Sequence, residues 1–314
     1  METVDPKKSL KMMRYVLGEI PRIMRRLHLG IRDGMQLVWL LASAYVRELK
    51  SKATNEVRTL TPATRESSKL ADFFMTRLIK TSSIEGKEYL DEAIRFFEAG
   101  GKVLILSNHF GVIDALVSRF ILESIIGKTY MMIWIAGKRV WESIFLRIFS
   151  RGVNLLTMYS TKYFSNASSE EERRRIRAHN VTMLREMGQR HAIYLGYPQG
   201  VWNPECLTPG DPAAMALVGA LGGKKYEGVL VLPMYIDGTD EMVKYSSSPS
   251  EDPSAFYRFL EGLTPCKVTL HFSLPLRGDV FRGHNNEENM ETIMHAIAGL
   301  APIGKRGPYA SVLR

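Results

Sequence analysis

The chain of 314 residues is poor in cysteine, with Cys206 and Cys266 alone. They lie far apart and form no metal-ligand or redox spacing, which excludes a disulfide framework and a cysteine-built metal site. Two reduced, partly buried thiols in a cytosolic compartment are expected instead. No apolar run approaches the roughly 20 residues that a membrane-spanning helix needs. No apolar core precedes a small-residue cleavage site, so no cleavable signal peptide is expected. Internal repeats and low-complexity tracts are absent, as is any signature of a nucleic-acid module, and no nucleic acid partner is expected. The Gly-x-Ser-x-Gly elbow of serine hydrolases is missing too, which disfavours that class.

What is present is an ordinary globular composition, 45% hydrophobic and 24% charged, in a chain long enough to bury a sizeable core. The formal charge is +9, and residues 1–60 hold twelve Lys/Arg against six Asp/Glu. A basic end of this kind suits an anionic membrane surface. Residues 8–29 place Leu10, Met13, Val16, Leu17, Ile20, Met24 and Leu27 at helical spacing among Lys7, Lys8, Lys11, Arg14, Arg22, Arg25 and Arg26, with Pro21 set to kink or split the helix. Met35 to Val46 is nearly apolar all round and carries Trp39 and Tyr45. A basic amphipathic helix followed by a short apolar one predicts an interfacial anchor and a monotopic, membrane-associated protein on the cytoplasmic face. The alternative is a helical hairpin packed on the main domain. Polar residues 51–68 read as a linker. The expected organisation is therefore residues 1–68 as N-terminal helices and linker, and residues 69–314 as one α/β domain, opened by a helix over 69–80.

Within that domain, strands and helices alternate, which predicts an α/β fold with a mixed, mostly parallel sheet flanked by helices. Helices are expected at about 88–98, 115–126, 140–149, 168–190, 211–221 and 286–300. Ser168 and Ser169 each precede a Glu by three residues, a capping-box pattern, and Asp211-Pro212 opens the next helix. Strands are expected at 103–107, 130–136, 153–159, 192–197 and 229–236, where Asp237-Gly238 forms a turn. Lys267 to Leu274 alternates, predicting a half-buried strand and a candidate edge.

The stretch that points to chemistry is Val103-Leu104-Ile105-Leu106-Ser107-Asn108-His109-Phe110-Gly111-Val112-Ile113-Asp114. A branched apolar run ends in Ser-Asn-His, and Asp114 opens a helix. A histidine at a strand end lies on the usual functional edge of an α/β sheet. Asp114, five residues on, can reach one imidazole nitrogen, fix the tautomer and leave the other nitrogen free to take a proton. A polar loop histidine beside an ordinary helix cap is the alternative.

Over roughly residues 85–280 the chain resembles the glycerolipid acyltransferases that acylate lysophosphatidic acid and related acceptors. Asn108-His109-Phe110-Gly111-Val112-Ile113-Asp114 resembles their Asn-His-x-x-x-x-Asp block. Ala136-Gly137-Lys138 resembles the step after their second strand, and Tyr197-Pro198-Gln199-Gly200 their Phe-Pro-Glu-Gly block. Val231-Leu232-Pro233-Met234 and Val268 to Leu276 resemble their Val-Pro strand and closing strand. The resemblance implies an O-acyltransferase with His109 and Asp114 as catalytic dyad, and with Asn108, Lys138, Pro198, Gln199 and Gly200 at the substrate. It implies no cofactor and no metal. An acyl-CoA or acyl-carrier protein serves as co-substrate, membrane lipids are partners, and backbone N–H groups near Gly200 receive the oxyanion. Three departures fall on charged positions of the family: Gln199 replaces Glu, Val201-Trp202 replaces Thr-Arg, and Met158 stands where an Arg is expected. Met and Trp cannot pair with phosphate as Arg does. Lys138, Arg139, Arg147, Arg151 and Lys162 are substitute cations or plain surface charges. The alternatives are a lysolipid acyltransferase or transacylase without phosphate-monoester recognition, or an inactive lipid-binding homologue.

Overall fold

The structure, a computed structural model, describes residues 17–18, 20–25, 27–51, 60–111, 113–138, 144–200, 203–242 and 262–311. Among these, nine strands form one sheet covered by helices on both faces. The strands are β1 (Leu60–Thr61), β2 (Ile79–Glu85), β3 (Lys102–Ser107), β4 (Met132–Gly137), β5 (Asn154–Met158), β6 (Ile193–Gly196), β7 (Val229–Asp237), β8 (Cys266–Phe272) and β9 (Leu276–Arg277). Their order is β1-β5-β4-β6-β3-β7-β8-β2, with β9 also on β7.

The helices that matter here are α1 (Ile31–Ser51), α2 (Arg65–Leu78), α3 (Lys87–Glu98), α4 (Asp114–Ile126), α5 (Ile144–Ser150), α6 (Thr161–Ser165), α7 (Glu170–Gln189), α8 (Met215–Gly222), α9 (Thr239–Met242) and α10 (Asn286–Leu300). Alternate residues of β3 feed opposite layers, as the period of two requires. Val103 and Ile105 join a core with Leu70 and Phe74 of α2, Leu90 of α3 and Val117 of α4. Leu104 and Leu106 join a second core with Met183 of α7, Val218 of α8 and Ile293 of α10. With both faces covered, β3 and β7 are continuous apolar runs, which is how a buried central strand reads.

The sheet is mixed, and the expected mostly parallel arrangement needs correction. β5, β4, β6, β3 and β7 are parallel neighbours. β1 is antiparallel to β5, while β8 and β9 are antiparallel to β7, and β2 lies parallel to β8. Five strands thus run one way and four the other. The cause is local: β2 leaves the end of α2 without a crossover, and β9 continues the direction of β8 beyond Pro275, which cannot donate to a ladder. β8 is not an edge either, because β2 covers it.

The N-terminal helices also differ from expectation. Residues 20–25 are helical and include Pro21, with Ile20 and Ile23 in the first core. Residues 1–16 lie outside the described residues. The apolar helix extends to 21 residues, and one face of it is docked on the α/β core through Leu37, Leu40, Leu41, Ala44 and Tyr45. Ile31, Met35, Val38, Trp39 and Val46 form the opposite, exposed stripe, with Trp39 at 60%. Among the described residues, no helix is long and apolar enough to cross a membrane.

The capping patterns hold in part, since Glu171 pairs with Arg175 instead of Ser168. Ser169 accepts from the Glu172 N–H, and the Glu172 carboxylate accepts from the N–H and hydroxyl of Ser168, so both serines share the cap of α7. Asp211 caps a 3₁₀ turn at Pro212–Ala214 that leads into α8.

Candidate active site

The parallel strands β4, β6 and β3 are adjacent, so their C-terminal ends bring Lys138, the turn Tyr197–Gly200 and His109 to one edge of the sheet. Two strand spacings separate the ends of β4 and β3, on the order of 10 Å.

Asn108 is where the chain leaves the sheet. The β3–β7 ladder closes at Ser107 opposite Met234. Beyond it, the Asn108 side chain takes over: its Oδ1 accepts the Ile236 N–H at 2.6 Å, and its Nδ2 donates to the Ile236 carbonyl at 3.0 Å. Ser107 also donates its hydroxyl to Asn108 Oδ1. Asn108 is fully buried, with its amide bonded inside the fold. Its place is to steer the backbone rather than to touch substrate.

His109 and Asp114 are brought together. The carboxylate Oδ2 accepts from His109 Nδ1 at 2.9 Å, from the Phe110 N–H at 2.8 Å and from the Gly111 N–H at 2.9 Å. Asp114 is 0% exposed and stands at the first position of α4, where the helix dipole favours negative charge. An ionised carboxylate can only accept, so this geometry suits the tautomer with the proton on Nδ1, which in a neutral imidazole puts the lone pair on Nε2. Nε2 makes no hydrogen bond among the described residues, and the side chain is 22% exposed. The arrangement can take a proton from a hydroxyl at the sheet edge and hold the resulting imidazolium beside its carboxylate.

The turn after β6 grips His109 from another side. The His109 N–H donates to Gln199 Oε1 at 2.9 Å, and Gln199 Nε2 donates to Thr208 Oγ1 at 2.9 Å. The His109 carbonyl accepts from the Asn203 N–H. The Tyr197 ring stacks on the imidazole, centroids 4.2 Å apart and planes 15° from parallel. Burial, and then the nearby Asp114 charge, push the Tyr197 hydroxyl well above its ordinary pKa, so it stays a neutral phenol. Pro198 is buried, and its carbonyl accepts from Asp211 N–H. Gly200 has φ of +67°, the left-handed conformation that favours glycine, and its N–H donates back to the Tyr197 carbonyl. That N–H closes a turn, and the two residues that follow Gly200 lie outside the described residues.

Lys138 lies with its Nζ 5.1 Å from the Tyr159 ring and 5.6 Å from the Tyr163 ring. Met158, at the end of β5, packs against the second core. Of the substitute cations, Arg147 and Arg151 pair with the buried Glu48 of α1 at 3.9 and 3.0 Å. Arg139, Val201, Trp202 and the side chain of Lys162 lie outside the described residues. Among those described, no group of three or more His, Cys, Asp or Glu is placed to hold a metal ion. A cavity of about 520 Å³ between Tyr226, Phe281, Arg282 and His284 lies ahead of β7, at the opposite end of the sheet from His109.

Residue reading passed over Tyr197, Asn203 and Thr208 as contributors. Tyr197 carried a usable signal, an aromatic ring at the end of a strand adjacent to β3. The other two act through a backbone N–H and a loop hydroxyl, which leave no pattern. No protein-family model matches the chain, and no curated protein matches it.

Proposed function

We propose that the protein is an O-acyltransferase of the glycerolipid type, moving a fatty acyl chain from acyl-CoA or acyl-carrier protein to a hydroxyl of a lysophospholipid-type acceptor. The observation that carries this reading is the buried Asp114 holding His109 at Nδ1 while Nε2, at the C-terminal edge of the sheet, makes no hydrogen bond among the described residues. His109 takes the proton of the acceptor hydroxyl as its oxygen attacks the thioester carbonyl. The tetrahedral intermediate collapses, and the thiolate leaves with that proton. General-base catalysis of this kind contributes about 10²–10⁴ in rate. No covalent acyl-enzyme and no metal take part.

Neutral residues at the charged positions of the family, Met158, Gln199 and Trp202, favour an acceptor without a phosphate monoester, and Arg147 and Arg151, two of the substitute cations, are engaged by Glu48. A phospholipid–lysophospholipid transacylase fits the same residues. Lys138 is the cation at this edge that we assign to the acceptor headgroup. Membrane lipids are the partners, and the exposed stripe Ile31, Met35, Val38, Trp39 and Val46 on α1 is the proposed monotopic contact on the cytoplasmic face. Each large side chain withdrawn from water there contributes about 1.5–3 kcal/mol gross.

The test is incubation of the full chain with radiolabelled acyl-CoA and a panel of lysolipids, with and without a free phosphate monoester. Transfer to a lysolipid, abolished in His109→Ala, is expected. A folded protein that transfers acyl groups to no acceptor, from neither acyl-CoA nor acyl-carrier protein nor phospholipid, is a lipid-binding homologue and ends the proposal.

A further inference from the structure

We propose that Tyr197 is a positioning residue for His109, holding the imidazole by its face while Asp114 holds it by its edge; this rests on the reading of His109 as the base. One hydrogen bond at Nδ1 fixes one atom of the ring. It leaves the ring free to roll about the line to Asp114 Oδ2, which swings Nε2 through an arc. A planar neighbour 4.2 Å from the ring centre, at 15° to its plane, removes that freedom on one side.

Tyr197 is itself immobilised. It precedes Pro198, which confines it to extended backbone. Its carbonyl accepts from Gly200 to close the turn. Its hydroxyl is buried. Gln199, two residues after Tyr197, fixes the His109 backbone at 2.9 Å. Edge, face and backbone are each held by a different group, and the nitrogen left over is the one the chemistry needs. Sequence reading offered Tyr197 only as the first residue of a motif, with no role of its own.

Catalysis is sensitive to such placement, since small displacements of a reacting group cost large factors in rate. The measurement uses the full chain. In Tyr197→Phe the aromatic face is kept, and turnover stays within about threefold of wild type. In Tyr197→Leu the face is lost, and kcat falls about tenfold or more while KM for donor and acceptor changes less than about twofold. A spectroscopic reading accompanies it. The His109 Hε1 resonance, identified by its loss in His109→Gln, lies upfield of exposed histidines through the ring current of Tyr197, and returns downfield in Tyr197→Leu. Unchanged kcat in Tyr197→Leu overturns the proposal, as does an Hε1 resonance without an upfield shift in the wild-type protein. The wild-type resonance needs neither an acyl substrate nor a folded Leu variant. A shifted resonance in a protein that transfers no acyl group supports the stack and sinks the acyltransferase reading alone.

Discussion

Among the described residues two carboxylates are withdrawn from solvent, Asp114 at 0% exposure and Glu48 at 3%, and they are put to different uses. Asp114 draws its donors from residues immediately upstream, two backbone N–H groups and one imidazole. Glu48 draws its partners from a distant part of the chain, Arg147 on α5 and Arg151 just beyond it. The arginines are permanent cations, so that pair is a closure between α1 and the α/β core. The histidine is not, and its second nitrogen makes no hydrogen bond among the described residues. A buried charge thus marks chemistry only when its partner has something left to give.

The sharpest test of that distinction is His109→Ala. Turnover in the radiolabelled acyl-transfer assay should fall about 10²–10⁴-fold, while the urea midpoint moves little, because a side chain at 22% exposure is removed and Asp114 keeps two backbone donors. Near-normal transfer by the variant would erase the difference between the two carboxylates. The reverse pattern is expected of Glu48→Ala. Breaking a buried pair leaves two cations without their counter-charge and costs about 3 kcal/mol of stability, read from urea denaturation. Turnover per folded molecule, measured on a water-dispersed acceptor, should stay within about twofold. A large loss of turnover at unchanged stability would place Glu48 in the site.

Asp114→Asn sits between the two. The Asn side chain can still accept from backbone, but it lacks the charge that sustains three bonds on one oxygen. A stability loss of about 1–2 kcal/mol is expected, together with a fall in kcat of at least about tenfold from loss of the imidazolium's counter-charge. Equal kcat in wild type and variant would reduce Asp114 to the helix-terminal role that was its alternative reading.

The same contrast explains what could be read in advance. β3, α4 and the pairing of His109 with Asp114 leave their marks within one dozen-residue stretch, so an apolar run, a glycine and a five-residue gap were enough to find them. β2 was not found, because Lys80, Thr81, Ser82 and Ser83 show no apolar alternation. It is a strand by virtue of pairing with β8, including a hydroxyl pair between Ser83 and Thr269 at 2.8 Å. β1 and β9 are two residues each and carry too little pattern to register. Strand direction failed as well, because the direct step from α2 into β2 and the continuation of β8 into β9 leave no periodicity to read. In α1, an apolar surface all round gave no means of telling the core-facing residues from the exposed ones. Only the packing of Leu37, Leu40 and Leu41 against α2 and its neighbours separates the two faces.

That second face of α1, opposite Glu48, gives the prediction with the smallest effect on stability. Deleting the helix would uncover Leu70, Phe74 and their neighbours, so loss of lipid binding after deletion would report damage to the core as readily as loss of an anchor. A single exposed side chain avoids this. Trp39 is 60% exposed, and Trp39→Asp should change stability by less than about 0.5 kcal/mol. If the stripe lies on lipid, the same change removes one large apolar group worth about 1.5–3 kcal/mol and adds a charge of the wrong sign. Flotation of the full chain with vesicles containing anionic phospholipid should then show about tenfold weaker binding or more. Equal binding by both proteins would leave α1 as a packing element on both of its faces, and the membrane contact would have to be sought elsewhere.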